Sequence, residues 1–212
     1  MAAGTLITIE GLDGAGKTTL AEALAREIGA HGRGGAGKRR VELLREPGGV
    51  QLSEGIRELV KDPAFTVGAR AEALLYAAAR AQLVQERVLP LLDEGALVLL
   101  DRFVDSSLAY QGAGRELGVE QIGAINRFAT EGLQPDRTLL LRISLRSGRA
   151  RMGTRAGAPD RMELEGEEFF ARIDAAYRDL ARAEPRRIAV LDAELPPDRV
   201  LSDALAAITD LL

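Results

Sequence analysis

A glycine-rich segment that directly follows an apolar run constrains the fold of this chain more than any other feature. Residues 11–18 read GLDGAGKT and match the pattern G-x-x-x-x-G-K-[ST], with a strand-like run before them and a helical pattern after them. Glycines let backbone N–H groups curve around phosphate oxygens with no Cβ in the way, and the N-terminus of the following helix favours negative charge. The segment therefore predicts a phosphate-binding loop between the first strand and the first helix.

Side chains of this loop and of a later strand predict a site for phosphates and a magnesium ion. Lys17 supplies a mobile positive charge for the β- and γ-phosphates, and the hydroxyl group of Thr18 is suited to ligating Mg²⁺. The apolar residues 97–100 end in Asp101, the form of a Walker-B strand, which predicts Asp101 as a second Mg²⁺ ligand. The residues predicted to bind the nucleotide phosphates are Gly11, Leu12, Asp13, Gly14, Ala15, Gly16, Lys17, Thr18 and Thr19.

Short apolar runs alternate with longer amphipathic segments along the chain. Nearly continuous apolar runs predict parallel strands covered by helices on both faces, at residues 5–10, 41–45, 96–101, 137–143 and 187–192. Helical patterns occupy residues 17–28, 52–60, 69–89, 119–130, 145–152, 167–183 and 198–212. This alternation predicts an α/β fold, a three-layer P-loop NTPase sandwich with a five-stranded parallel sheet, formed as a single domain over residues 1–212.

Composition argues against several other classes of protein. The 212 residues include no cysteine and one histidine, His31, which excludes thiol nucleophiles, iron–sulfur clusters and sites built from several histidines. The formal net charge of −4 argues against a general nucleic-acid-binding protein, which would carry a basic excess. No apolar run approaches the roughly 18–20 residues of a membrane span, and no basic leader precedes the first strand. We therefore expect a cytoplasmic protein with no nucleic-acid or membrane partner.

Arginines occur where a second phosphate group would need them. Arg57 follows the second strand, Arg80 lies in the next helical pattern, and Arg102 directly follows Asp101. Ligands bind where the carboxyl ends of strands and the helices that follow them meet, and guanidinium groups bind phosphates bidentately. Tyr76 is one helical turn before Arg80, so this pair suits either stacking on a base beside a phosphate or ordinary half-buried packing.

A segment at approximately residues 146–163 intersperses arginines with glycines. Such a segment suits a lid that closes over transferring phosphates, and a run of charges equally suits a solvated surface. The candidates for an arginine that stabilises the transition state are Arg149, Arg151 and Arg155. The sequence does not decide among these three.

Three segments together resemble the bacterial thymidylate kinase family, within the P-loop nucleoside monophosphate kinases. They are residues 10–19 (EGLDGAGKTT), residues 45–49 (REPGG) and residues 101–112 (DRFVDSSLAYQG), and the similarity extends in order over essentially the whole chain. The resemblance implies transfer of the γ-phosphoryl group of ATP to dTMP, which gives ADP and dTDP for dTTP synthesis. It also implies Mg²⁺ as the metal and a homodimer as the assembly.

The resemblance also implies roles for individual residues. Arg57, Arg80 and Arg102 would hold the dTMP phosphate, and Tyr76 would stack on thymine where many relatives place Phe. Further substrate-binding residues would be Asp13 at the sugar 3′-OH, Glu46 beside the acceptor, Ser107 and Gln111 near the base, and Tyr110 at the ribose 2′ position. Some relatives carry Arg at the position of Gly14, so its absence here points to a lid arginine. The catalytic candidates are Lys17, Arg102, Arg149, Arg151 and Arg155.

Two alternatives to dTMP phosphorylation remain open at this point. The first is a kinase for another deoxynucleotide or nucleoside, which would use the same phosphate loop. The second is a P-loop switch that hydrolyses a nucleoside triphosphate. A guanine-reading N-K-x-D motif would mark a regulatory GTPase, and Asn126 is instead followed by Arg127 within a helical pattern.

Overall fold

The predicted α/β architecture is confirmed by a computed structural model, which describes residues 4–31, 39–153 and 160–212. The strands are β1 (Thr5–Gly11), β2 (Val41–Arg45), β3 (Leu97–Asp101), β4 (Arg137–Arg142) and β5 (Ile188–Asp192). They pair in parallel in the order β2-β3-β1-β4-β5, so β1 lies at the centre of the five-stranded sheet. Asp101 pairs with Ile9 on one side and with Arg45 on the other, which brings the ends of β1, β2 and β3 together.

Helices cover both faces of the sheet because successive strand residues point to opposite sides. The helices are α1 (Lys17–His31), α2 (Gln51–Lys61), α3 (Ala69–Leu83), α4 (Leu89–Asp93), α5 (Val104–Ser107), α6 (Val119–Ala129), α7 (Leu145–Gly153), α8 (Glu167–Ala183) and α9 (Pro197–Ala207). Ile7 and Ile9 belong to the core formed with α1, α8 and α9. Leu6 and Leu100 belong to the core formed with α3 and α4 on the other face. Among the described residues, no helix is both long enough and apolar enough to cross a membrane.

The predicted helix over residues 69–89 is interrupted in the structure. A π-helical turn, Val84–Val88, follows α3, and the N–H of Leu89 donates to the carbonyl oxygen of Val84. Pro90 explains the wider turn, because a proline has no N–H to donate and its ring clashes with the carbonyl four residues earlier. Similarly, the predicted helix over residues 198–212 ends with α9 at Ala207, because the buried Ile208 leaves helical geometry.

Helical structure over residues 104–114 was not predicted from the sequence. Here α5 continues into a π-helical segment, Leu108–Gly114, although serines and glycines disfavour helix. The buried side chains of Ser106, Ser107, Tyr110 and Gln111 lie in this region, and each is hydrogen-bonded to another part of the chain. Tertiary contacts therefore outweigh the weak local preference for helix.

Candidate active site

A cleft of about 460 Å³ opens at the carboxyl edge of the sheet, between the phosphate loop, α2, α3, the region of residues 101–111 and α7. Most of the residues predicted for nucleotide and substrate binding line it. They are Asp13, Gly14, Gly16, Lys17, Thr18, Thr19, Glu46, Arg57, Tyr76, Arg80, Asp101, Arg102, Ser107, Tyr110, Gln111 and Arg151. Gly11, Leu12, Ala15 and Arg149 do not line this cavity, and Leu12 and Ala15 are buried in the core beneath the loop.

The phosphate loop takes the tight shape that its glycines permit. Gly14 and Gly16 have φ angles of 79° and 91°, in the region that side chains with a Cβ avoid. A Cβ at residue 14 would also lie 2.3 Å from the carbonyl oxygen of Gly148 in α7. Gly14 is therefore required both by its backbone conformation and by the close approach of α7 to the loop.

Lys17 is buried at the base of this loop. Its Nζ donates to the carbonyl oxygen of Leu12 at 2.8 Å and lies 3.9 Å from Asp13 Oδ1. Burial and the nearby Arg102 guanidinium lower the pKa of Lys17 to about 8. For Asp13, the positive charges of Arg102 and Lys17 outweigh the effect of burial and hold its pKa below the usual range. The protonation state of Lys17 therefore depends on its burial and on the charges of Arg102 and Asp13.

Thr18 and Asp101 form a pair of oxygen ligands at the mouth of the loop. The Thr18 hydroxyl donates to Asp101 Oδ2 at 2.6 Å, although the two residues lie on α1 and β3. A hydroxyl and a carboxylate oxygen are the hard ligands that Mg²⁺ prefers. Within residues 4–31, 39–153 and 160–212, no group of three or more His, Cys, Asp or Glu side chains forms a metal site. The pair fits an ion that takes its remaining ligands from phosphates and water.

Arg102 connects the phosphate loop to the other half of the cleft. Its backbone has a φ of 72°, and its Nη2 donates to Asp13 Oδ1 at 2.7 Å while its Nη1 donates to Ser106 Oγ at 2.9 Å. Its guanidinium carbon lies 5.0 Å from the centre of the Tyr110 ring. The Tyr110 hydroxyl in turn donates to Asp13 Oδ2 at 3.0 Å. Asp13, Arg102 and Tyr110 thus form one connected group.

Sequence reasoning missed the support beneath Arg102. Glu10 is fully buried, and its carboxylate accepts hydrogen bonds from the Phe103 N–H at 2.7 Å, the Ser106 hydroxyl at 2.5 Å and the Tyr177 hydroxyl at 3.0 Å. Burial, followed by the negative charge of Asp105, raises the pKa of Glu10. A charged residue at the end of an apolar strand is the sequence signal for Glu10, whereas Tyr177 carries no such signal.

Arg80 forms more hydrogen bonds to the protein than the predicted binding of a phosphate would require. Its Nε donates to Glu46 Oε2 at 2.7 Å, and its Nη2 donates to the Phe103 carbonyl oxygen at 2.8 Å. Its Nη1 donates to Ser107 Oγ at 2.8 Å and also to Asn126 Oδ1. All of its nitrogens therefore have protein acceptors, and the side chain is 2% exposed.

Glu46 and Arg57 lie beside Arg80 at the end of β2 and on α2. The Glu46 oxygen Oε1 is buried without a hydrogen-bond partner among the described residues. Burial raises the pKa of Glu46 to about 7, against the opposing charge of Arg80. Arg57 is half-buried, and its Nη1 donates to the carbonyl oxygen of Pro47 at 2.9 Å.

At the far end of the cleft, Tyr76 is half-buried and Gln111 is nearly fully buried. The amide nitrogen Nε2 of Gln111 donates to Glu72 Oε1 at 2.9 Å. Met162 also lines this end of the cleft, and sequence reasoning missed it. The pocket thus combines aromatic, amide and thioether groups, as a flat polar ring system would require.

Two of the three candidate lid arginines lie on the described α7, and they point in different directions. Arg151 lines the cleft, and its Nη2 donates to the Ala193 carbonyl oxygen at 2.9 Å in the loop after β5. Arg149 instead donates from Nη1 to Glu167 Oε1 at 2.9 Å, on α8. Arg155, the third candidate, lies outside the described residues.

After the undescribed residues 154–159, the chain is attached to α2 at one side of the cleft. Lys61 at the end of α2 forms an ion pair with Asp160, with Nζ and Oδ2 2.6 Å apart. The Nε of Arg161 donates to the Val60 carbonyl oxygen at 3.0 Å. Lys61 and Asp160 both line the cleft and were not predicted, because their pairing joins residues that are far apart in sequence.

Comparison with known proteins gives one consistent result. The family model described as thymidylate kinase matches residues 9–204. The thymidylate kinase of Oenococcus oeni is 46% identical, with 100% of this chain and 98% of that protein aligned. The thymidylate kinase of Enterococcus faecalis is 44% identical, over 98% and 96%. The crystal structure of thymidylate kinase from Ehrlichia chaffeensis superposes with a TM-score of 0.79 at 27% identity, over 98% of this chain and 99% of that one.

Proposed function

The chain belongs to the thymidylate kinase family, and from that membership we propose that its cleft transfers the γ-phosphoryl group of ATP to dTMP. The observation that supports this most directly is the connected group of Asp13, Arg102 and Tyr110. It lies between the phosphate loop and the pocket of Tyr76 and Gln111, within one continuous cleft. A donor triphosphate on the loop and an acceptor nucleotide in the pocket would therefore meet at Arg102.

The donor side would bind the triphosphate of ATP through the phosphate loop and Lys17. Thr18 and Asp101 are the residues that would hold Mg²⁺, and the ion would supply positive charge to offset that of the phosphates. Arg151 extends from α7 into the same cleft, so it is the lid arginine we assign to the charge that develops on the transferred group. Arg149 is assigned to holding α7 against α8.

On the acceptor side, Arg57 and Arg102 would bind the phosphate of dTMP. Four of the five N–H groups of Arg80 have protein acceptors, so we assign it mainly to holding Glu46 and the Phe103 backbone in place. An acceptor phosphate is already anionic at neutral pH, so its oxygen attacks without a general base. The contribution of the protein is then alignment and neutralisation of charge.

The pocket would select the base and the sugar of the acceptor. Tyr76 offers a ring face for stacking, and the Gln111 carbonyl offers an acceptor for the one N–H donor of thymine, at N3. Tyr110 is held against Asp13 and Arg102, where its ring would crowd a ribose 2′-OH. Asp13 would accept from the sugar 3′-OH, and Ser107 would line the base pocket.

We also propose that the chain forms a homodimer and acts in the cytoplasm, where its nucleotide substrates occur. Large apolar side chains are exposed on helices that pack side by side, α2, α3 and α6. Phe128 on α6 is 89% exposed, Leu74 on α3 is 57% exposed and Leu52 on α2 is 56% exposed. A second copy of this chain would remove these side chains from water.

A panel of acceptors tests the proposed substrate. ADP release from ATP and Mg²⁺ would be followed in a coupled assay with dTMP, dUMP, dCMP, dGMP or thymidine as the acceptor. We expect the highest kcat/KM for dTMP and no turnover of thymidine, which lacks the phosphate that Arg57 and Arg102 would bind. A higher kcat/KM for another acceptor would instead indicate a different nucleotide kinase.

A further inference from the structure

Glu72 is a buried carboxylate that the proposed mechanism does not use. It lies on α3, one helical turn before Tyr76, and its side chain is 0% exposed. Burying a carboxylate is unfavourable unless it is paired and hydrogen-bonded, so its partners indicate what holds it there. Those partners come from two different parts of the chain: Gln111 and Arg115 in or next to the π-helical segment, and Arg161 near the end of the lid.

Two guanidinium groups pair with the Glu72 carboxylate. Arg115 donates from Nε to Oε1 at 3.2 Å and from Nη2 to Oε2 at 3.0 Å. Arg161 Nη2 lies 2.6 Å from Oε2, as an ion contact without the alignment of a hydrogen bond. Burial alone would lower the pKa of Arg115, but the hydrogen bonds and charges of Glu72 and Glu165 outweigh it and raise that pKa. A guanidinium group can only donate, so the two carboxylate oxygens of Glu72 face donors, and a further group beside them forms a hydrogen bond by donating.

This requirement fixes the orientation of the Gln111 amide. A glutamine presents either NH₂ or C=O to a neighbour, and beside Glu72 only the NH₂ group can form a hydrogen bond. The contact of 2.9 Å between Nε2 and Glu72 Oε1 satisfies it. Within the described part of the chain, the Nε2 contact is the one side-chain hydrogen bond of Gln111, so its Oε1 is left for a ligand in the cleft that Gln111 lines. The Gln111 carbonyl oxygen is therefore the hydrogen-bond acceptor available to a base in the pocket.

We propose that Glu72 is a specificity-determining positioning residue, which holds Gln111 so that only its carbonyl oxygen faces the base. This inference rests on the proposed function, in which a pyrimidine nucleotide occupies the pocket. Thymine and uracil carry an N–H donor at N3, whereas cytosine carries a lone pair there. A free amide would turn to offer its NH₂ group to cytosine, and Glu72 prevents that turn.

The test compares Glu72→Gln and Glu72→Asp with wild type, using dTMP, dUMP and dCMP as acceptors. Glu72→Gln replaces the obligate acceptor by an amide, so Gln111 is free to turn. Glu72→Asp keeps the negative charge that Arg115 and Arg161 require for folding, and it withdraws the carboxylate from Gln111 by one methylene group. The matched control is Glu165→Gln, because Glu165 pairs with Arg115 Nη1 at 2.5 Å, whereas the Gln111 amide donates to Glu72.

We expect both Glu72 variants to reduce the dTMP:dCMP ratio of kcat/KM about tenfold or more. In the variants Gln111 can turn, which removes the repulsion between its carbonyl oxygen and the lone pair on N3 of cytosine. The dTMP:dUMP ratio should stay unchanged in both variants, because these bases share the N3–H donor. Glu165→Gln should leave both ratios unchanged. A dTMP:dCMP ratio that stays at the wild-type value in Glu72→Asp would overturn the inference and leave dTMP phosphorylation intact. A wild-type protein that does not phosphorylate dTMP would instead overturn the proposed function.

Discussion

Lys17 is a buried amine whose charge depends on its neighbours. Arg102 and burial disfavour its protonated form, while Asp13, Asp101 and Glu10 favour it, and the balance sets its pKa to about 8. A bound triphosphate would add strong negative charge beside Nζ and raise that pKa. Protonation of Lys17 and binding of the nucleotide therefore favour each other.

This linkage predicts how nucleotide affinity changes with pH. As the pH rises through 8, free Lys17 loses its proton and must regain it to bind, so the affinity for ATP and Mg²⁺ falls as the pH rises. Between pH 7 and pH 9.5 we expect the dissociation constant, measured by calorimetry, to increase at least about tenfold.

Lys17→Arg is the control, because a guanidinium group stays charged over this range. Its affinity should be nearly independent of pH, whatever its absolute value. An equal pH dependence in the wild type and in Lys17→Arg would assign the titration to another group.

At the scale of single residues, local motifs identified side chains that the fold brings into one cleft. Lys17, Thr18 and Asp101 were identified because local spacing encodes the phosphate loop and the Walker-B strand. The contact between Tyr177 and Glu10 could not be found this way, because it joins residues separated by 167 positions. Such pairs are determined by the packing of α8 against the rest of the molecule.

At the scale of elements, α7 determines which lid arginines reach the cleft. Its residue Gly148 packs against the backbone of the phosphate loop, where a Cβ at residue 148 would lie 3.0 Å from the Asp13 carbonyl oxygen. Arg149 and Arg151 are two positions apart, about 200° around a helix, so they point to opposite sides. The sequence could not decide between them because the rotation of α7 about its axis depends on this contact.

This orientation predicts different effects for the two lid arginines. Arg151→Ala should lower kcat roughly 10²- to 10³-fold with little change in the KM for ATP, because its charge acts on the transferred group. Arg149→Ala, the matched control, should lower kcat less than about tenfold, since it removes an ion pair with Glu167 at the surface. Steady-state kinetics on both variants, with thermal unfolding to verify folding, provides the measurement. Equal losses of kcat would contradict the assignment and favour a diffuse electrostatic effect.

Strand positions were predictable because buried parallel strands read as continuous apolar runs, and each predicted strand is present within one residue at either end. The π-helical turn before α4 was not predictable from the apolar pattern, because it depends on how Pro90 disrupts hydrogen bonds in the preceding turn. The helical segment at residues 104–114 was also missed, because buried contacts hold its serines and glycines.

At the scale of the whole molecule, exposed apolar side chains on α3 and α6 predict the assembly. We expect the wild type to sediment at twice the chain mass of 22.7 kDa. The double variant Leu74→Asp with Phe128→Asp should sediment at the mass of one chain, because it would bury charge in the interface. Leu195→Asp, after β5 at the opposite edge of the sheet, is the control and should remain dimeric. A wild-type monomer at micromolar concentration would contradict the proposal.

The order of the strands brings the proposed donor and acceptor halves of the site together. Because β3 lies between β1 and β2, Asp101 and Arg102 stand between the phosphate loop and the acceptor side at Glu46. Strand order was not predicted, since parallel strands of similar composition do not specify their neighbours. The juxtaposition of the two halves is the basis of the proposed phosphoryl transfer.

The most direct test of that transfer is the dependence of ADP release on dTMP, measured with ATP and Mg²⁺ at saturation. We predict that ADP forms rapidly only when dTMP is present and that one dTDP accumulates for each ADP. Steady ADP release at the same rate without dTMP, with no dTDP formed, would contradict the account and identify the protein as a nucleotide hydrolase.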